Sequence, residues 1–241
     1  NQVAATFNAY TSKDHTCYYA NAQMLTTQSP PEKLLQVMLP AIADVVLRPT
    51  FPDKAVHAEL GIVRNEIVRR EEDGGTRCVE GSVSALFTKH PSHAFARSVP
   101  GTTGDIDAIR DASAAARSFY SRHYHGRNLH CVVAGPVTIT QVLRLLGKDV
   151  GAFGVSSGIP RPVHAVARLK PEPRPDAASP QQVHVAHAWH VLNKANKPVP
   201  LTQSDRCVAE VLACVIAGTP MTNRLFKRLR NVEGITYGAR C

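Results

Sequence analysis

Apolar positions in this chain switch between a period of two and a helical period, and the switches outline its elements. From Phe7 to Ala20, aromatic and β-branched residues flank a polar centre, Ser12-Lys13-Asp14-His15, which predicts strand, turn, strand. Ser29-Pro30-Pro31-Glu32 offers a capping box with proline at the first helical position. Leu34, Leu35, Met38, Ile42, Val45 and Val46 follow at helical spacing to about Leu47, with a kink expected at Pro40. A second helix begins near Asp53, where Val56, Leu60, Val63 and Ile67 step by 4, 3 and 4 along one stripe. Residues 71–75 read as a loop and 80–88 as a third helix, before an irregular stretch at 89–93. Asp105 is expected to cap one further helix, buried through Ile106, Ile109, Ala112, Ala116, Phe119 and Tyr120. Residues 128–134 read as a buried strand, and Val142, Leu145 and Leu146 as a short helix after it.

The pattern then lapses. Six prolines fall between Pro160 and Pro180, which marks the region as the boundary between two units. Beyond it Val183, Val185, His187, Trp189 and Val191 alternate as a strand. Cys207, Val208, Val211, Leu212 and Val215 mark the buried side of a helix over 204–217, closed by Gly218. A further helix over 219–230 and a strand at 234–237 complete the pattern. The predicted class is α+β: an antiparallel sheet with helices packed on one face over residues 1–170, and the start of a second, partial copy of that unit over 171–241.

Composition narrows the function classes. Hydrophobic residues make up 44% of the 241 and charged residues 20%, enough to bury a core, and no run of about 18 apolar residues predicts a membrane span. The net charge of +9 is spread along the chain apart from a cluster at Arg224–Arg230, so a solvated basic surface is the expectation and nucleic-acid binding is not. The six cysteines form no C-x-x-C pair, and four sit in apolar runs. They read as reduced, buried thiols of an intracellular protein, cytoplasmic or mitochondrial. No apolar h-region follows Asn1, so no targeting peptide is visible, and the first residue is not an initiator Met. His184, His187 and His190 do not share one face of a strand and read as structural.

One pair of residues breaks the pattern. Glu59 and Glu66 on the second helix are seven apart, two turns along nearly the same line, between the Val63 and Ile62 sides. Carboxylates avoid apolar flanks unless paired or bound to metal. Both are therefore expected to face a common cavity beside the Phe7–Thr11 strand, the plain alternative being helix-face ion pairs to Arg64 or Arg70.

Three segments in register resemble the pitrilysin (insulinase) family of zinc peptidases. Phe7-Asn8-Ala9-Tyr10-Thr11-Ser12-x-x-His15-Thr16-x-Tyr18-Tyr19 is similar to its substrate-edge strand, and Glu59-x-x-x-x-x-x-Glu66 to its E-x-x-x-x-x-x-E helix. Leu225-Phe226-x-x-Leu229-Arg230-x-x-x-Gly234-Ile235-x-Tyr237 is similar to its second-domain Arg/Tyr segment. His90-Pro91 and Phe119-Tyr120-x-x-His123-Tyr124 fall between them in the expected order. The resemblance implies a metalloendopeptidase acting on peptides or unfolded segments. Substrate would add as a strand to Asn8, Ala9 and Thr11, with Arg230 and Tyr237 positioning it from the second unit. It implies Zn²⁺ as cofactor, with Glu66 as the downstream ligand and Glu59 as the second acidic residue, a catalytic role.

The family's inverted H-x-x-E-H motif, which supplies two histidine ligands and the general base, is absent here and would lie before Asn1. Two readings are open. The chain is either a piece of an active peptidase, inactive alone, or a non-catalytic relative such as a respiratory-complex core subunit or the silent half of a processing peptidase, with a homologous partner chain.

Overall fold

The structure is a computed structural model that describes residues 5–23, 30–87, 93–151, 183–189, 202–218 and 222–236. The chain divides into two compact units, Asn1–Trp189 and His190–Cys241.

The first unit opens with the expected hairpin. Strands β1 (Ala5–Thr11) and β2 (Thr16–Ala22) pair antiparallel, from Ala5 opposite Ala22 to Thr11 opposite Thr16. Directly opposed residues share a face, so Phe7, Ala9, Tyr18 and Ala20 lie on one side and Asn8, Tyr10, Cys17 and Tyr19 on the other. The first face turns inward at β2, which packs on helix α1 (Pro31–Leu47). Helix α1 begins on proline as expected and runs through Pro40. Its N-cap is Pro30 and no side chain caps it, while Ser29, the expected cap, lies outside the described residues. Leu35, Leu39 and Ala43 of α1 meet Val142 and Leu146 of α6 (Ile139–Gly151) in the main apolar cluster. An Arg144–Glu32 ion pair spans the same two helices.

Helix α2 (Asp53–Glu72) buries the predicted stripe. Val56, Leu60 and Val63 are half-buried, and Ile67 is only 1% exposed. The expected loop at 71–75 is a single break. Asp73 accepts from the Thr76 N–H and starts α3 (Gly74–Ala85) at once, six residues before the expected start. The single helix expected from Asp105 is two. Thr102 and Asp105 form a capping box on the short α4 (Thr103–Asp107), and Asp111, accepting from the Ala114 N–H, starts α5 (Ala112–His123) anew. The restart changes the helical phase, so Ile109 and Phe119, expected inside, are exposed.

Two expected strands of the first unit are not formed. Residues 129–134 and 183–189 find no ladder partner among the described residues, and Val132, Val183 and Trp189 are exposed. Most of the expected boundary region and Val191 lie outside the described residues.

The second unit contains α7 (Gln203–Ala217), capped by a Thr202–Asp205 box and ended at Gly218, where an added Cβ would stand 2.6 Å from the Cys214 Cα. Its expected buried stripe is solvent-facing: Val208, Val211, Leu212 and Val215 are all exposed. The thiols of Cys131, Cys207 and Cys214 are exposed as well, which corrects the buried-thiol expectation. Helix α8 (Arg224–Phe226) runs directly into a π-helical turn, Lys227–Val232. Residues 234–236 form no strand, and Gly234 takes a left-handed φ of 65°.

Candidate functional site

The hairpin supplies the first component. A 2.7 Å bond from the Ser12 N–H to the His15 carbonyl closes the two-residue turn. Antiparallel ladders alternate hydrogen-bonded and open pairs, so this bond makes Tyr10–Cys17 and Asn8–Tyr19 the bonded pairs. The N–H and C=O groups of Phe7, Ala9 and Thr11 therefore point to the other edge of β1, where no strand pairs among the described residues. Asn8 bends onto this edge: its Oδ1 accepts from the Ala9 N–H at 2.8 Å. At the turn, Lys13 Nζ donates to the Arg97 carbonyl, tying the hairpin tip to the loop after α3.

The exposed face of the hairpin is aromatic. Tyr10 packs edge-on against His15 at 5.8 Å and beside Tyr19 at 6.4 Å. On the inner face Tyr18 meets Tyr124, the residue after α5, with hydroxyl oxygens 2.9 Å apart. Burial first, then the Tyr124 hydroxyl, pushes the Tyr18 phenol well above the usual tyrosine range. The Tyr124 ring stacks on Tyr120 at 4.8 Å, and the Tyr120 hydroxyl donates to the Val46 carbonyl at 2.9 Å.

Helix α2 supplies the second component. Glu59 and Glu66 are both exposed, one step around the helix from the buried stripe, so the apolar flanks from which a cavity was expected do not shield them from solvent. The anticipated ion pair forms for Glu66, loosely: Arg70 Nη1 stands 3.8 Å from its carboxylate. Arg70 is held more closely by Glu80 of α3 at 2.8 Å, and Ser98 donates to the other Glu80 oxygen at 2.9 Å. Burial acts upward on the Glu80 carboxyl. The hydrogen bonds from Arg70 and Ser98, with the charges of Arg70 and Lys13, outweigh it and hold the group below the usual glutamate value. Arg64 pairs with Asp107 at 3.1 Å and not with either glutamate.

The described residues do not fit a zinc ion on their own. No group of three His, Cys, Asp or Glu side chains converges among them, whereas a zinc site needs three or four. His184 and His187 join no such cluster, and His187 stacks on Trp189 instead; His90 and His190 lie outside the described residues.

In the second unit the guanidinium of Arg230 lies 5.1 Å from the centre of the Phe226 ring, and Tyr237 lies outside the described residues. An open groove of ≈ 620 Å³ runs between Cys207, Val211 and Cys214 of α7 and residues 222–224. Sequence pattern alone does not reveal the Tyr18–Tyr124 pair, although both tyrosines stand inside the segments that carry the family resemblance. Nor does it reveal the Arg70–Glu80–Ser98 set, for want of any signal joining residues so far apart in the chain.

Comparison with known proteins adds the family dimension. Residues 1–93 match the family model described as insulinase (peptidase family M16), and residues 113–241 match the one described as peptidase M16 inactive domain. An uncharacterized zinc protease of Mycobacterium leprae is 28% identical over 238 residues, 98% of this chain and 49% of that one. One from Streptomyces coelicolor is 26% identical over 244 residues, 98% of this chain and 48% of its own. The mitochondrial ubiquinol-cytochrome-c reductase complex core protein I of Euglena gracilis is 28% identical over 166 residues, 67% of this chain and 30% of that one. Among solved structures, the peptidase M16 inactive domain from Pseudomonas fluorescens superposes with a TM-score of 0.67 at 16% identity, covering 97% of this chain and 52% of that one. The chain spans about half the length of the curated relatives it matches.

Proposed function

The chain belongs to peptidase family M16, the insulinase family, and from that premise we propose that it serves a zinc-dependent endopeptidase that takes extended peptides or unfolded segments. The observation that carries this reading is the edge of β1 that no strand pairs among the described residues. Phe7 and Thr11 turn N–H and C=O groups along it, Ala9 turns its C=O and an N–H now held by Asn8 Oδ1, and a peptide that displaces Asn8 can add there as another strand. Main-chain bonding favours any extended chain over a folded one, which fits a peptidase of unfolded substrates.

The remaining assignments are part of the proposal. Asn8, Ala9 and Thr11 receive the peptide. Glu66 contributes one ligand to a zinc site whose other ligands are not among the described residues, and Glu59 acts beside it as the second acidic group. Arg230 and Tyr237 contact substrate from the second unit. The names of relatives as zinc proteases support the metal, and the E-x-x-x-x-x-x-E spacing supports the choice of glutamates. The free thiols among the described residues are in keeping with a reducing, intracellular compartment. No described helix is long and apolar enough to cross a membrane.

A second reading has its own support. The similarity to a respiratory-complex core protein extends over two thirds of this chain, so a non-catalytic partner subunit is the alternative. Cleavage of fluorescein-labelled casein by the whole protein and by the 241-residue chain, with and without a chelator, separates the two. The peptidase reading expects turnover by the whole protein that the chelator abolishes, and none from the 241-residue chain. No turnover from the whole protein favours the subunit. Turnover from the 241-residue chain would overturn the assignment of the zinc ligands.

A further inference from the structure

We infer that the hydroxyl pair of Tyr18 and Tyr124 is a positioning device that holds the receiving edge of β1 in place; this rests on the reading of β1 as a peptide-receiving strand. Tyr18 stands directly opposite Ala9 in the register, at an open pair where no backbone bond joins the two residues. Ala9 offers only a methyl group and its outward N–H is bonded within β1 to Asn8 Oδ1 at 2.8 Å, so the middle of β1 takes its position across the sheet from β2. β2 in turn is tied by the Tyr18 hydroxyl to Tyr124, 106 residues away, at 2.9 Å.

The tie ends on a rigid base. Tyr124 follows α5, its N–H bonded to the Tyr120 carbonyl at 2.8 Å and its ring stacked on Tyr120. The Tyr120 ring contacts Phe51 edge-on at 5.6 Å, and its hydroxyl holds the Val46 carbonyl near the end of α1. A two-stranded sheet is marginal alone. Here the packing of β2 on α1 and one hydroxyl–hydroxyl bond couple it to the α1–α5 framework, and neither strand has a further neighbour among the described residues. Loss of this bond loosens the edge locally while the α1–α6 core keeps its packing.

Hydrogen exchange across the 241-residue chain tests this with Tyr18→Phe, Tyr124→Phe and the double variant, which keep every ring. Each single change should speed exchange over residues 5–22 about three- to tenfold, the effect of one net hydrogen bond. The double variant should add little more, because both changes remove the same bond. Exchange over 31–47 should stay as in wild type. The affinity for fluorescein-labelled casein should fall in each variant, by less than the change in exchange, because the closed edge remains the major state. Unchanged exchange over 5–22, an equal rise over 31–47, or additive single effects would each overturn the inference. Wild-type chain that fails to bind casein, with the exchange pattern as expected, would keep the hairpin tie and remove the peptide-receiving reading instead.

Discussion

The β1–β2 hairpin and helix α2 carry different parts of the proposed site and are held in different ways. The hairpin has almost no buried side chain of its own; it is fixed by its ladder, by the packing of β2 on α1, by Lys13 at the tip and by the Tyr18 hydroxyl. Helix α2 is held by a packed stripe centred on Ile67, and its proposed functional carboxylates take no part in that packing. The hairpin's receiving groups are main-chain atoms, placed as soon as the ladder forms. The carboxylates of α2 are side chains in solvent and gain a defined geometry only when something binds them. A main-chain platform is complete by folding, whereas exposed glutamates wait for a partner.

Three changes probe that contrast. Ile67→Ala should have the largest effect, lowering the free energy of unfolding by about 2–5 kcal/mol in urea titration, because it empties a fully enclosed site. A loss under about 1 kcal/mol would mean that α2 is held by its ion pairs. Ala9→Pro acts on the hairpin alone. Ala9 points its N–H away from β2, to Asn8 Oδ1 until a peptide takes that place, so proline removes the donor without breaking the ladder, and casein affinity should fall roughly tenfold with the hairpin intact by hydrogen exchange. Binding as tight as wild type would remove this edge from the site.

The smallest effect concerns Glu80, which holds Arg70 beside Glu66. Its folded-state pKa is depressed, so its contribution is present above the ordinary glutamate value of about 4.3 and is lost as pH falls through the lower folded value. Glu80→Gln should cost roughly 0.5–1 kcal/mol at neutral pH, and the two proteins should converge once the pH has fallen below the depressed folded value. A difference that persists in acid would assign the role of Glu80 to shape instead of charge.

The parts of this fold legible in the sequence are those set by local pattern. The stripe of α2, the proline start of α1, the hairpin and the glycine end of α7 are each encoded within a dozen or so residues. The break between α4 and α5 is also local, since Asp111 carries its own cap, but the apolar spacing of Ile109 and Ala112 masks it. Anything that needs a partner far along the chain stayed illegible. An apolar run such as 129–134 becomes a strand only beside another strand, and the valines of α7 are buried only under a covering element. The candidate site divides the same way. Glu59 and Glu66 stand out by spacing, while their exposure and the hold of Glu80 on Arg70 depend on residues the spacing does not mention.

The π-helical turn at Lys227–Val232 has a consequence for how this protein tolerates changes in length. Its marker is the bond from the Glu233 N–H to the Arg228 carbonyl, five residues back where an α-helix would reach four. Such a turn holds one residue more than the α turn it replaces. Deleting a single residue after Arg230, Asn231 for example, would restore ordinary pitch and swing the downstream chain by about 100° relative to Leu225 and Phe226. An insertion or deletion here is therefore a rotation and not a mere shortening, and the number of residues in this segment constrains its descendants as firmly as their identity.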